Sequence, residues 1–145
     1  KAVALHECQQ SSYQSYAKQV VVNAKSLASA LVSEGMRAIS GGTETHLALI
    51  DVTGVGVTGK VADERCGASG ITLNKNSIPF DPNPPAVTSG IRVGTPAVTT
   101  QGMGVDQMKV IANLISRAIK SDDANEHAKI KSEVQSLVSK YPIYA

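Results

Sequence analysis

Thr88-Ser89-Gly90-Ile91-Arg92-Val93-Gly94-Thr95-Pro96-Ala97 sets a single arginine inside a short apolar run held between two glycines. Residues 90–94 read as a strand, and Pro96 is placed to start a short turn of helix. A guanidinium buried in such a run calls for an anion, because burial without a partner is very costly. The residues alone leave two readings open. Arg92 forms an internal ion pair or covers a sheet edge, or its planar fork grips a carboxylate ligand in a bidentate manner. Between residues 74 and 101 the only charges are Lys75, Asp81 and Arg92, so Asp81 is the local candidate partner.

Immediately upstream, residues 74–89 read as a loop. Pro79, Pro82, Pro84 and Pro85 remove backbone donors and exclude a regular helix or ladder. A loop of that length in a compact domain is usually functional or disordered. Asn74 and Asn76 bracket Lys75 at its start. Their amides suit turn chemistry through bonds to local backbone. They equally suit the edge of a heterocycle, since an amide both donates and accepts.

Further out, Ile71-Thr72-Leu73 reads as a strand. Thr58 caps a helix running to about Ser69 and closed by Gly70. Residues 36–40 and 46–52 read as two strands joined by the turn Gly41-Gly42-Thr43. The run Leu47-Ala48-Leu49-Ile50 marks the second as central and buried. All twelve glycines lie between Gly35 and Gly104, which leaves both flanks free to be helical. Ser11 or Ser12 caps a helix ending at Gly35, with Ala17, Val20, Ala24, Leu27, Ala28 and Leu31 along one stripe. Gly104 precedes a helix striped by Val105, Met108, Ile111, Ala112, Ile115 and Ile119. Asp122 or Asp123 caps a last helix, with Ile130, Val134, Leu137 and Val138 on one face. The pattern predicts an α+β domain spanning 1–145: a small, mostly antiparallel sheet packed against helices.

Composition narrows the function classes. Fourteen basic residues against twelve acidic give a net charge of +2, with no basic block to meet nucleic acid. No apolar run approaches the roughly 20 residues of a membrane span. Four Tyr, one Phe and no Trp leave the core to aliphatic side chains. Cys8 and Cys66 sit in no CxxC or Cys/His cluster, so the sequence argues against a metal site and for buried free thiols in a reducing compartment. His6, His46 and His127 stand far apart, and His46, at the start of a strand, reads as a structural hydrogen-bonding residue. Gly54-Val55-Gly56 with Gly59 does not make a dinucleotide fingerprint. No residue is expected to be catalytic.

Several stretches, in order and spacing, resemble the C-terminal small domain of the serine hydroxymethyltransferase family in its bacterial form. They are Lys1-Ala2-Val3-Ala4, Ser40-Gly41-Gly42-Thr43 with His46-Leu47, Thr58-Gly59-Lys60, Gly70-Ile71-Thr72-Leu73-Asn74-Lys75-Asn76, Ile78-Pro79-Phe80-Asp81-Pro82, Thr88 to Thr99, and Tyr141-Pro142-Ile143-Tyr144. Glu44-Thr45 departs from a common Asp-Asn, and Arg65-Cys66-Gly67 from a Leu-rich helix segment. The resemblance implies the small domain of a fold-type I pyridoxal-phosphate enzyme, with residues 1–10 as the end of an interdomain helix. It implies that Arg92 binds the carboxylate of serine or glycine. It implies that Asn76, with Lys75 and Ser77 beside it, contacts the pterin of tetrahydrofolate. The family's reaction converts serine and tetrahydrofolate to glycine and 5,10-methylenetetrahydrofolate. The family's Schiff-base lysine sits in a Thr-rich His-Lys motif that does not occur here, and Lys60 and Lys75 lack its context. The large cofactor domain is therefore expected to be absent and this chain alone inactive, without bound pyridoxal phosphate. The intact enzyme is expected to be a cytoplasmic homodimer or homotetramer. Two alternatives stay open: the small domain of another fold-type I enzyme, or a non-enzymatic interaction module.

Overall fold

The computed structural model describes residues 1–143. Helix α1 (Ala2–Cys8) buries none of its residues and leaves Val3 and Leu5 exposed. Helix α2 (Ser11–Ser33) buries Val20, Ala24, Leu27, Ala28 and Leu31, the stripe read from its period. Ala17 lies half-buried at the end of that stripe. Strand β1 (Arg37–Ala38), a 3-10 turn at Ile39–Gly41 and strand β2 (Leu47–Asp51) follow. Helix α3 (Gly59–Ala68) starts where Thr58 Oγ1 accepts from the Val61 amide at 3.3 Å. Strand β3 (Asn74–Asn76), strand β4 (Gly90–Gly94) and helix α4 (Pro96–Thr100) come next. Helix α5 (Val105–Lys120) and helix α6 (Ala124–Val138), capped by Asp123, complete the described chain. Tyr144, in the tail used for the resemblance, lies outside the described residues.

The fold is α+β. Four strands form one antiparallel sheet in the spatial order β1-β2-β4-β3. Alternation puts Ala48, Ile50, Ile91 and Val93 on the face that the helices cover, where they join Leu27, Leu31, Met108, Ile115, Ile119 and Ile130 in a single core. Leu47, Leu49, Arg92, Gly94 and Asn74 alternate onto the opposite face, half-buried or exposed. α6 is clamped to α5 by Arg117, which donates to Glu126 and Glu133 at 2.7–3.0 Å.

Two expectations are corrected. Ile71-Thr72-Leu73 forms no ladder; β3 is Asn74–Asn76, so the proline-rich loop starts at residue 77. Ile71 and Leu73 instead pack half-buried against the core. An edge strand tolerates Asn-Lys-Asn despite weak β-propensity, because its pairing with β4 decides the register. Of the two thiols, Cys66 is buried but Cys8 is exposed on α1.

Both ends of β4 are anchored. At its start, the Gly59 and Lys60 amides of the first turn of α3 donate to the Thr88 and Val87 carbonyls at 3.0 and 2.9 Å. Just beyond its end, the buried Thr95 hydroxyl donates to the Val20 carbonyl of α2 at 2.8 Å. Asn23, fully buried on α2, donates to Thr99 Oγ1 and to the Met103 carbonyl, both at 2.9 Å. Its own Oδ1 accepts from Gln19, so this buried amide is satisfied.

Candidate ligand site around Arg92

Register fixes what lies beside Arg92. Leu49 of β2 stands opposite it on one side and Asn74 of β3 on the other. Side chains so paired share a face, about 5 Å apart at Cβ. One row along toward the start of β4 lie Arg37, Asp51, Gly90 and Asn76; one row the other way lie Leu47 and Gly94.

That face carries two arginines with different circumstances. Arg37 donates to Asp51 Oδ2 from Nε at 3.2 Å and from Nη2 at 2.7 Å. Burial pushes the Asp51 carboxyl up, but hydrogen bonds from Thr53 and Arg37 outweigh it and leave its pKa below the usual range. Arg92 makes no ion pair among the described residues. The internal partner considered for it, Asp81, is committed elsewhere: it accepts from the amides of Ile78, Asn83 and Ser89 and from the Ser89 hydroxyl. Nor is Arg92 buried. Strand alternation turns it outward and exposed, so it is stable without an anion yet open to one.

Arg92 and Gly94 form the floor of an open cavity of about 530 Å³. His46 and Leu47 stand on one side; Thr72, Leu73 and Asn74 stand on the other. Beyond Gly90 the face is closed, because Ile78 packs where a side chain at that position would project. The guanidinium offers donors in a fixed fork, and the charged residues one row along, Arg37 and Asp51, are paired with each other. The arrangement suits a small molecule with a carboxylate.

The structure brings Arg92, Asn74 and Asn76 to one face. Lys75 pairs with Ile91 and belongs to the face packed by α3, so it is not brought to Arg92. Ser77 follows β3 directly and is exposed. Asn76 Nδ2 donates to the Ser77 carbonyl at 2.8 Å, and Asn74 Nδ2 to the Lys75 carbonyl at 3.1 Å. The amide nitrogens thus perform the local backbone chemistry read from the sequence. Each Oδ1 accepts no hydrogen bond among the described residues.

His46 is corrected. Its ring is exposed at the cavity rim, and what it contributes to the fold is its carbonyl, which accepts from the Thr95 amide at 3.0 Å. The structural histidine is His127, buried, with Nδ1 2.8 Å from Ser69 Oγ. Nothing in the sequence separated the two. Gly94 was also missed, having been read only as the end of a strand.

No group of three or more His, Cys, Asp or Glu able to hold a metal occurs among the described residues. No described helix is long and apolar enough to cross a membrane.

Two comparisons with known proteins agree. The family model for serine hydroxymethyltransferase matches residues 1–115. A serine hydroxymethyltransferase from Desulforapulum autotrophicum is 47% identical over 144 residues, which cover 99% of this chain and 34% of the relative. The chain therefore spans about a third of the length of that relative.

Proposed function

Since the chain belongs to the serine hydroxymethyltransferase family, we propose that it is the C-terminal domain of a pyridoxal-phosphate-dependent enzyme. That enzyme interconverts serine plus tetrahydrofolate with glycine plus 5,10-methylenetetrahydrofolate. In this reading Arg92 binds the amino-acid carboxylate. Asn76, with Ser77 beside it, meets the pterin. The pterin edge carries N–H donors, and the Oδ1 atoms of Asn76 and Asn74, which accept no hydrogen bond among the described residues, are acceptors. Lys75 is left out of the folate contact because of the face it occupies.

The residues of this chain do not fit pyridoxal phosphate by themselves. The cofactor needs a lysine amine held against it and a cup for its phosphate. Every lysine here is exposed except Lys75, which is half-buried on the wrong face. We therefore assign the cofactor, and the bond-making chemistry, to the rest of a longer protein. This chain's share is to bind and orient. A carboxylate held by a bidentate fork has its plane and the direction of its Cα–C bond fixed, which places the α-carbon and leaves rotation about that bond to a second contact. The intact enzyme is read as a cytoplasmic homodimer or homotetramer; both free thiols accord with a reducing compartment.

The observation that carries the reading is the contrast between Arg37, which has its carboxylate within the chain, and Arg92, which has none among the described residues. The test is serine kinetics and thermal unfolding on the same samples of the intact protein. Arg92→Ala is expected to lose roughly thirty-fold to several-thousand-fold in kcat/KM, and Arg92→Lys only part of that, with cofactor content and Tm unchanged. Normal kinetics with a lowered Tm would make Arg92 a scaffold residue.

A further inference from the structure

Gly94 is a glycine that the backbone does not require. Its φ lies outside the left-handed region, and a Cβ built on it would sit 3.4 Å from the His46 carbonyl, 3.7 Å from Leu47 Cβ and 3.7 Å from Pro96 Cδ. Those are ordinary contacts, so crowding does not demand glycine either. The contrast with Gly90 is sharp, where an added Cβ would meet Ile78 Cγ2 at 2.7 Å and the Asn76 carbonyl at 2.9 Å. A glycine at the end of a central strand still costs backbone entropy and leaves no side chain to pack. Position 94 is thus locally unfavourable, and what it supplies is space. That space has one address: Gly94 is two residues from Arg92 on the same face, and it is the floor of the cavity into which the guanidinium opens.

We propose that Gly94 sets the size of ligand admitted to Arg92. The absent side chain lets the carboxylate end of a small α-amino acid lie against the guanidinium, between His46 and Leu47 on one side and Thr72 on the other. Any β-branched residue at 94 stands in that place. The inference rests on the proposed role of Arg92 and adds the residue that limits access to it.

The test uses the intact protein with Gly94→Ala, Gly94→Val and, as a separate arm, Arg92→Lys. Glycine and serine binding are measured by calorimetry, and Tm on the same samples. Gly94→Ala is expected to weaken binding a few-fold, and Gly94→Val roughly thirty-fold or more, because the larger side chain fills the floor. Tm should hold or rise in both, since the strand gains a better β-former. Falling affinity with steady or rising Tm is a pairing that a purely structural role does not produce. Wild-type affinity in Gly94→Val, with weakened binding in Arg92→Lys, overturns the Gly94 inference and leaves the Arg92 reading standing. Unchanged binding in all three variants overturns both. If Gly94→Val fails to fold, Gly94→Ala decides: weaker binding at unchanged Tm supports the inference, and lowered Tm at unchanged binding defeats it.

Discussion

Asp81 accepts two hydrogen bonds from Ser89, one from its hydroxyl at 2.6 Å and one from its amide at 2.9 Å. The amides of Ile78 and Asn83 complete the set at 3.1 and 2.9 Å. One carboxylate thereby ties the start of the proline-rich loop to its end, just before the strand that carries Arg92. Desolvation pushes the Asp81 carboxyl up, but these bonds outweigh it and bring its pKa down to about 2. A carboxyl lowered from its ordinary value near 3.9 stabilises the fold fully above that value, and loses the contribution as pH falls through its folded pKa. Carboxyl-carbon NMR should therefore place the Asp81 midpoint near 2, with the Ser89 and Asn83 amides still protected from exchange at pH 4. A midpoint near 4 would mean that the clamp is absent in solution. Asp81→Ala should lower Tm on the order of 5 °C.

Two glycines of α3 should respond in opposite directions to the same substitution. Gly59 lies so close to the next segment that a Cβ would collide with Thr88 Oγ1 and the Gly90 carbonyl. Gly59→Ala should cost roughly 2–4 kcal/mol through forced separation of α3 from β4. Gly67 faces open space with an ordinary helical φ. Gly67→Ala should add about 0.5–1 kcal/mol by helix propensity. Denaturant midpoints of the two variants that move in the same direction would contradict the packing described at Gly59.

Much of this architecture is legible in the residues, because period and caps act locally. Thr58, Asp123 and the stripe of α2 each announce their element within a few residues. β3 was not legible. Ile71 and Leu73 carry the apolar signal, whereas the ladder falls on Asn74–Asn76, where only the distant strand β4 supplies a partner. The same holds for the site. Arg92 stands out by composition, but sequence offers no way to learn that Asp81 is occupied by backbone amides, that Lys75 faces away, or that His46 and Gly94 share a cavity with the arginine. Those are facts of register and of loop closure.

Asn23 should behave as a keystone between α2 and the segment after β4. Asn23→Ala leaves the buried Met103 carbonyl and Thr99 hydroxyl each short of a donor. The expected loss is about 2–3 kcal/mol, from unsatisfied polar groups plus a small cavity. A midpoint shift worth less than about 0.5 kcal/mol would show that water or rearrangement restores those bonds.

The two thiols should differ widely in reactivity. Burial, with the nearby Asp63 charge, pushes the Cys66 thiol up to about 12, while Cys8 is exposed. At pH 8, alkylation followed by peptide mapping should label Cys8 at least about tenfold faster than Cys66, which reacts only on unfolding. Equal rates would mean that α3 opens readily.

The spatial order β1-β2-β4-β3 has a consequence for how the domain is assembled. The chain lays down β1, β2 and β3 before β4 exists, yet among the described residues β3 has no strand partner except β4. Until β4 inserts, β3 is a strand without a sheet, and β2 lacks its second neighbour. β4 must close two separate chain loops at once, which is the slow, non-local kind of step in a folding reaction. Arg92 on β4 and the asparagines on β3 are therefore brought together by a single late event rather than added one after another. A chain interrupted before β4 would lack Arg92 and would leave Asn74–Asn76 without the strand that aligns them.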